Sequence, residues 1–197
     1  RRKFLRLAAA AAAFSVVPRY VLGGAGQVPP SQKITLAGIG MGGQGTEDMI
    51  AVQKLPEVQV LAVCDVSREG GGYQSWYWSE GNERRTSGRE PVRRLMDELY
   101  AKQQRSGQYR ACRAYTDYRE LLEKEDVDAV VVATPDHSHA VITMAALKRG
   151  KHVYCEKPLA HSVHEVRALM AAARKYKVVT QLGNQGHSSG SIRRLCE

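Results

Sequence analysis

The sequence predicts an α/β fold built on a doubly wound parallel sheet. From residue 34 onward, short apolar runs alternate with segments of helical periodicity, and strands that alternate with helices pair in parallel. The run DAVVVA at residues 128–133 is β-branched and continuous, as expected of a strand buried on both faces. Glycine, proline and charged motifs follow the runs directly, at the position where sheets of this class bind ligands.

The first unit of this pattern is the stretch ITLAGIGMGGQG at residues 34–45, in which a strand leads into a glycine-rich turn. A helix predicted over residues 44–55 follows, then a strand over residues 58–64 that ends at Asp65. The glycines have the spacing of a dinucleotide cradle: Gly38, Gly40 and Gly43. Strand, glycine turn, helix and a later acid together indicate a site for a pyrophosphate at a helix N-terminus.

Asp65 also bears on which dinucleotide is bound. A carboxylate at this position accepts hydrogen bonds from the adenosine ribose and repels a 2′-phosphate, which favours NAD over NADP. Arg68, three residues further on, could reach a 2′-phosphate, so NADP stays possible.

The rest of the chain continues the alternation. The further strands are predicted over residues 112–115, 128–133, 151–156 and 178–182. The further helices are predicted over residues 89–105, from a cap at Asp117 (paired with Glu120 as a capping box) through Glu125, from a cap at Asp136 to Lys148, from the capping box Ser162-x-x-Glu165, and from near Ser189.

Two strand-end motifs carry candidate chemistry. In TPDHSH, at residues 134–139, His139 either lines the ligand crevice or is an ordinary packed histidine. In Glu156-Lys157-Pro158, a lysine beside a carboxylate at the end of a buried strand is a candidate proton-transfer group. The alternative is a surface lysine whose aliphatic stem lies along the protein.

The net charge of +9 does not indicate a nucleic-acid protein. Residues 1–33 hold six basic groups and no acid, residues 68–113 hold most of the remaining excess, and the rest is nearly neutral. The four cysteines have no short ligand spacing, so we expect neither a disulfide framework nor a metal site.

The N-terminus has the features of an export signal. Arg1-Arg2-Lys3 precedes an alanine-rich apolar run and a small-residue zone, and the twin arginine followed by Phe-Leu resembles a Tat signal. We therefore expect residues 1–26 to be the signal, residues 27–33 to be a linker arm, and the protein to be periplasmic or secreted. A cytoplasmic amphipathic helix is the alternative, and the run is too short to span a membrane.

The motifs GIGMGGQG, CDV, ATPDHSHA, CEKPLA and QLGNQGH, in this order, resemble the nucleotide-binding half of the glucose–fructose oxidoreductase, inositol dehydrogenase and rhizopine-catabolism (Gfo/Idh/MocA) family. The resemblance implies a Rossmann-like domain over residues 34–186 that binds NAD or NADP. It also implies the roles of site residues. By this resemblance, Gly38, Gly40 and Gly43 surround the pyrophosphate, Met41 and Gly42 present backbone to it, and Asp65 binds the ribose. Thr134, Pro135 and His139 line the crevice. Near the nicotinamide or sugar lie Glu156, Lys157, Asn184 and Gln185, and His187 follows in the last motif.

The same resemblance implies a hydride transfer between NAD(P) and a sugar or polyol, with Lys157 and Glu156 as the catalytic pair and Lys157 moving the hydroxyl proton. Relatives that use NAD transiently as glycosidases, and a non-catalytic sensor on the same fold, are the alternatives.

The family's substrate domain is expected after residues 187–197, so we expect this chain to be a fragment that binds cofactor without efficient turnover and the full-length protein to be a homo-oligomer. The segment at residues 69–108 is a longer insertion than is usual. Its aromatic group (Tyr73, Trp76, Tyr77 and Trp78) either packs the loop or stacks on substrate.

Overall fold

The computed structural model describes residues 28–70, 86–103 and 109–197. The chain divides into two compact units, residues 1–33 and residues 34–197. In the first unit, the described part contains a 3₁₀ turn at Pro30–Gln32. The predicted signal and the predicted aromatic group of the insertion lie outside the described residues.

In the described part of the second unit, six strands form one sheet in the order β3-β2-β1-β4-β5-β6, and every neighbouring pair is parallel. The strands are β1 (Ile34–Ile39), β2 (Val58–Cys64), β3 (Arg113–Tyr115), β4 (Ala129–Val132), β5 (His152–Glu156) and β6 (Thr180–Gly183). This order confirms the predicted doubly wound fold, whose direction of winding reverses between β1 and β4.

Within the described ranges, six α-helices connect or follow the strands: α1 (Gly43–Val52), α2 (Arg89–Gln103), α3 (Tyr118–Lys124), α4 (Asp136–Leu147), α5 (Val163–Tyr176) and α6 (Gly190–Cys196). A 3₁₀ turn at Gln185–Ser188 follows β6 and was not predicted.

The core has two layers, one on each face of the sheet. In β4, Val130 and Val132 belong to one cluster and Val131 to the other, because successive side chains of a strand point to opposite faces. The first layer takes Leu121, Ile142 and Leu169 from α3, α4 and α5, and the second takes Met49 and Met96 from α1 and α2. Burial on both faces explains why the central strands are continuously apolar in sequence.

The helix ends test the predicted caps. The capping box of Ser162 and Glu165 is confirmed, with both reciprocal hydrogen bonds present. The predicted cap by Asp136 is wrong, because Pro135 occupies the cap position and Asp136 is the first helical residue, where a negative charge still favours the helix dipole.

Two further boundaries differ from the prediction. Asp117 caps α3 by accepting from the Arg119 N–H, but its predicted capping-box partner Glu120 pairs with Lys124 instead. Helix α1 ends at Val52 rather than residue 55, since Pro56 disfavours helical backbone in the residue before it.

Candidate functional site

The glycine turn after β1 lies against the end of β4. Gly40 has φ 91°, and a Cβ atom there would lie 2.6 Å from the carbonyl carbon and oxygen of Ala133. Gly45 is equally constrained, since its Cβ would lie 1.9 Å from the Gly40 carbonyl oxygen. Gly45, which lies outside the predicted glycine spacing, therefore allows the close approach of α1 to this turn.

The N-terminus of α1 fits an anion. Its N-cap is Gly42, which has no side chain to bond the first-turn N–H groups, and no acidic residue lies in the first turn. Those N–H groups and the positive end of the helix dipole are therefore available to a phosphate. The residues present thus fit the predicted pyrophosphate, with Gly42 and Gly43 as its backbone contacts.

Asp65 orders the glycine turn from the end of β2. Its Oδ2 accepts from the Met41 N–H and its Oδ1 from the Ser67 N–H, each at 2.7 Å. The Met41 N–H is therefore occupied by Asp65, so this part of the predicted backbone contact with the cofactor is reassigned to the turn itself. Each carboxylate oxygen keeps a second lone pair, which leaves Asp65 able to accept from ribose hydroxyls.

The start of α2 contacts the glycine turn and the end of β2. The Gly88 N–H donates to the Met41 carbonyl at 2.8 Å, and the Arg89 guanidinium donates to the Asp65 and Val66 carbonyls at 3.1 and 3.0 Å. No motif marks Arg89 in the sequence, because these contacts span more than twenty residues.

His139 joins the turn after β4 to the turn after β5. Its ring is 1% exposed, with Nδ1 2.6 Å from the Pro158 carbonyl oxygen and Nε2 2.7 Å from that of Thr134. A neutral imidazole donates through one nitrogen alone, so the imidazolium satisfies both contacts. Burial alone would lower the pKa of His139, but its contacts with Cys155 and with the two carbonyls raise that pKa to about 9.

This geometry revises the predicted role of His139. Both ring nitrogens are engaged and the side chain is buried, so His139 holds the two turns together and does not present a nitrogen to the crevice. Thr134 is half-buried and Pro135 exposed, so these two remain predicted crevice residues.

The His139 contacts predict a pH dependence of folding. Because the pKa rises from 6.5 to about 9, the stabilisation is complete below pH 6.5 and is lost as pH rises through 9. We expect the free energy of unfolding to fall by about 3 kcal/mol across this window, and we expect His139→Gln to remove that part of the dependence. Urea denaturation at pH 6, 7.5 and 9 measures it.

The matched control for that experiment is His137→Gln, an exposed histidine in the same turn of α4. It should keep the wild-type profile. An unchanged profile in His139→Gln would contradict the imidazolium assignment.

The Glu156 carboxylate faces the protein interior. Glu156 is 5% exposed and accepts from the Gln185 side chain, which also donates to Asp48 Oδ1 at 3.2 Å. Gly183, its register partner in β6, makes room for it, since a Cβ there would lie 2.5 Å from Glu156 Oε1. In this structure Glu156 and Gln185 therefore belong to one polar cluster, and a contact of Glu156 with the reacting atoms stays a prediction.

Lys157 follows Glu156 and is exposed, as are Asn184 and His187 after β6. Gly38 lies within β1, with the Met41 and Met49 side chains beside it. The carboxyl ends of β1, β2, β4, β5 and β6 thus lie at one edge of the sheet. Asp65 follows β2 on one side of the glycine turn, and Lys157 follows β5 on the other side.

Among the described residues, no helix is long and apolar enough to cross a membrane.

The fold and this edge define a dinucleotide-binding domain, and comparison with known proteins gives its family. The model of the oxidoreductase family with an NAD-binding Rossmann fold, GFO_IDH_MocA, matches residues 70–184, which is more than half of the chain. The chain therefore belongs to this family.

Individual relatives are similar over part of their length. The chain is 27% identical over 153 residues to the uncharacterized oxidoreductase YrbE of Bacillus subtilis, covering 78% of this chain and 36% of that protein. It is 44% identical over 75 residues to a 1,5-anhydro-D-fructose reductase of Ensifer adhaerens, covering 38% of this chain and 22% of that protein.

A solved structure shares the fold at lower identity. The scyllo-inositol dehydrogenase of Lactobacillus casei with bound NAD(H) and scyllo-inositol matches with a TM-score of 0.58 and 18% identity, over 83% of this chain and 39% of that one. The chain thus spans about two fifths or less of the length of these relatives.

Proposed function

We propose that this chain is the cofactor-binding part of an oxidoreductase that moves a hydride between NAD and a sugar, polyol or related hydroxy compound. One observation supports this most directly: a ribose acceptor, an anion-ready helix N-terminus and an exposed lysine follow β2, β1 and β5 in turn along one sheet edge. That order matches the path of a dinucleotide laid across the crevice of a doubly wound sheet.

The bound nicotinamide would supply the hydride acceptor or donor. The first-turn N–H groups of α1 would hold the pyrophosphate and Asp65 would orient the adenosine ribose. The Lys157 Nζ would hydrogen-bond the substrate hydroxyl. As a neutral amine it would take the hydroxyl proton, and as an ammonium it would return that proton in the reverse reaction. Glu156 and His139 would hold the turn that presents Lys157.

The substrate class rests on the relatives. The 1,5-anhydro-D-fructose reductase and the scyllo-inositol dehydrogenase are named for a sugar derivative and a polyol, and their resemblance supports a substrate with vicinal hydroxyl groups. The twin arginine and the alanine-rich run within residues 1–26 support export by the Tat pathway, with the protein periplasmic or secreted.

The cofactor part of the proposal is tested by calorimetric titration with NADH and NADPH. We expect NADH to bind about tenfold or more tightly than NADPH, because Asp65 would face the 2′-phosphate. Asp65→Ser should reduce this ratio toward one, while Asp126→Ser, an exposed acid before β4, should leave it unchanged. Equal binding of both nucleotides by the wild type would contradict the NAD preference, and binding of neither would contradict the function.

A further inference from the structure

Two buried carboxyl groups meet at the carboxyl edge of the sheet, one from α1 and one from β5. Asp48 is 8% exposed and Glu156 is 5% exposed, and the two side chains lie within hydrogen-bonding reach of each other. Gln185, in the turn after β6, donates to both. Three segments far apart in sequence are therefore joined at one polar cluster.

The hydrogen bonds of this cluster indicate where a proton sits. Asp48 Oδ1 accepts from Gln44 at 2.8 Å and from Gln185 at 3.2 Å, whereas Oδ2 is buried and finds no donor. Two ionised carboxylates in a buried space repel each other. A proton on the Asp48 carboxyl group removes this repulsion and lets Asp48 donate to Glu156, with which it shares a hydrogen bond.

The electrostatic setting agrees with that proton. Burial is the largest cause raising the pKa of Asp48, to about 7, and the charge of Glu156 adds to it against the hydrogen bonds of Gln44 and Gln185. Strands β1 and β4, which also pack against α1, have no titratable side chain.

Helix α2 also packs against α1. Its buried titratable side chains, Asp97 and Tyr100, are bonded to the backbone N–H groups of Cys112 and Val60. Glu156 is therefore the group whose charge we take to act on the Asp48 carboxyl group.

We propose that Asp48 is a positioning residue for the Glu156-Lys157 turn, which its protonated carboxyl group ties to helix α1 through Glu156 and Gln185. Helix α1 presents its N-terminus to the pyrophosphate, and the turn presents Lys157 at the other end of the crevice. The hydrogen-bonded link among Asp48, Glu156 and Gln185 sets the distance between the α1 N-terminus and Lys157. Loss of this link therefore weakens cofactor binding. This inference rests on the proposed function, because its first test measures the affinity for NADH.

The first test is NADH affinity measured by fluorescence between pH 6 and pH 8.5. In the wild type we expect the affinity to fall about tenfold as pH rises, because the fraction of chains with the link intact falls. Asp48→Asn should bind tightly and without this dependence, since its amide donates to Glu156 at every pH. Asp48→Ala should bind weakly throughout, and Glu57→Gln, an exposed acid at the opposite sheet edge, should follow the wild type.

Two results would overturn the proposal: a flat wild-type profile, or an Asp48→Asn profile as steep as that of the wild type. His139 titrates in every variant, so the part of the wild-type pH dependence that Asp48→Asn loses belongs to Asp48 and any part that it keeps belongs to His139.

A second measurement needs no cofactor. Hydrogen exchange at the amides of residues 155–157 in the free chain should be faster in Asp48→Ala than in the wild type, and unchanged in Asp48→Asn. Equal protection in all three would overturn the positioning role even if NADH does not bind. Failure of the wild type to bind NADH at any pH, with the exchange result as expected, would contradict the proposed function alone.

Discussion

Replacing Lys157 with methionine is expected to lower kcat about 10²- to 10⁴-fold in the full-length gene product. The affinity for NADH should change little, because α1 and Asp65, rather than Lys157, would hold the pyrophosphate and the adenosine ribose. Methionine keeps the length and apolar stem of lysine but can neither bond the substrate hydroxyl nor carry its proton. Steady-state oxidation of polyols, followed by NADH absorbance, measures the effect.

The control for this experiment is Lys148→Met. Lys148 is an exposed lysine at the end of α4, at the opposite edge of the sheet, and its replacement should leave kcat and KM at wild-type values. Polyol oxidation that survives in Lys157→Met would remove Lys157 from the reaction. A loss of NADH affinity equal to the loss of kcat would instead make its role structural.

Replacing Gly40 with aspartate is expected to weaken NADH binding by about 100-fold or more, which is ~3 kcal/mol. The backbone at φ 91° strains any side chain, and the added Cβ would meet the Ala133 carbonyl at 2.6 Å. The new carboxylate would also repel a phosphate at the N-terminus of α1. Fluorescence titration with NADH measures the loss.

Gly190→Asp is the matched control, because Gly190 opens α6 and a Cβ there meets no atom within 4 Å. Circular dichroism establishes that both variants are folded before they are compared. Wild-type affinity in folded Gly40→Asp would contradict the placement of the pyrophosphate at this turn.

The fold could be predicted because its determinants are local. Strand β2 occupies the predicted residues Val58–Cys64, which are apolar except for Gln59, since a buried parallel strand needs a largely apolar run. The capping box at Ser162 was equally readable, as all of its atoms lie within four residues. The Asp136 cap failed because Pro135 occupies the cap position.

The site could be predicted less completely, because its contacts are long-range. Motifs after the strands identified which segments converge, yet they gave no side-chain direction. Glu156 was expected at the reacting atoms, and its carboxylate is buried. Asp48, which shares the Gln185 side chain with Glu156, was not predicted, because 137 positions separate Asp48 from Gln185 in the sequence. His139 could be a crevice or a packed residue by sequence alone, and burial of both ring nitrogens decided the matter.

The most direct test of the central proposal is a crystal structure of the full-length gene product with NADH bound. We expect the pyrophosphate on the N–H groups of Gly42 and Gly43, the adenosine ribose on Asp65, and the nicotinamide beside Lys157. A cofactor bound away from the glycine turn, or a Lys157 Nζ that points away from the nicotinamide, would contradict the proposal.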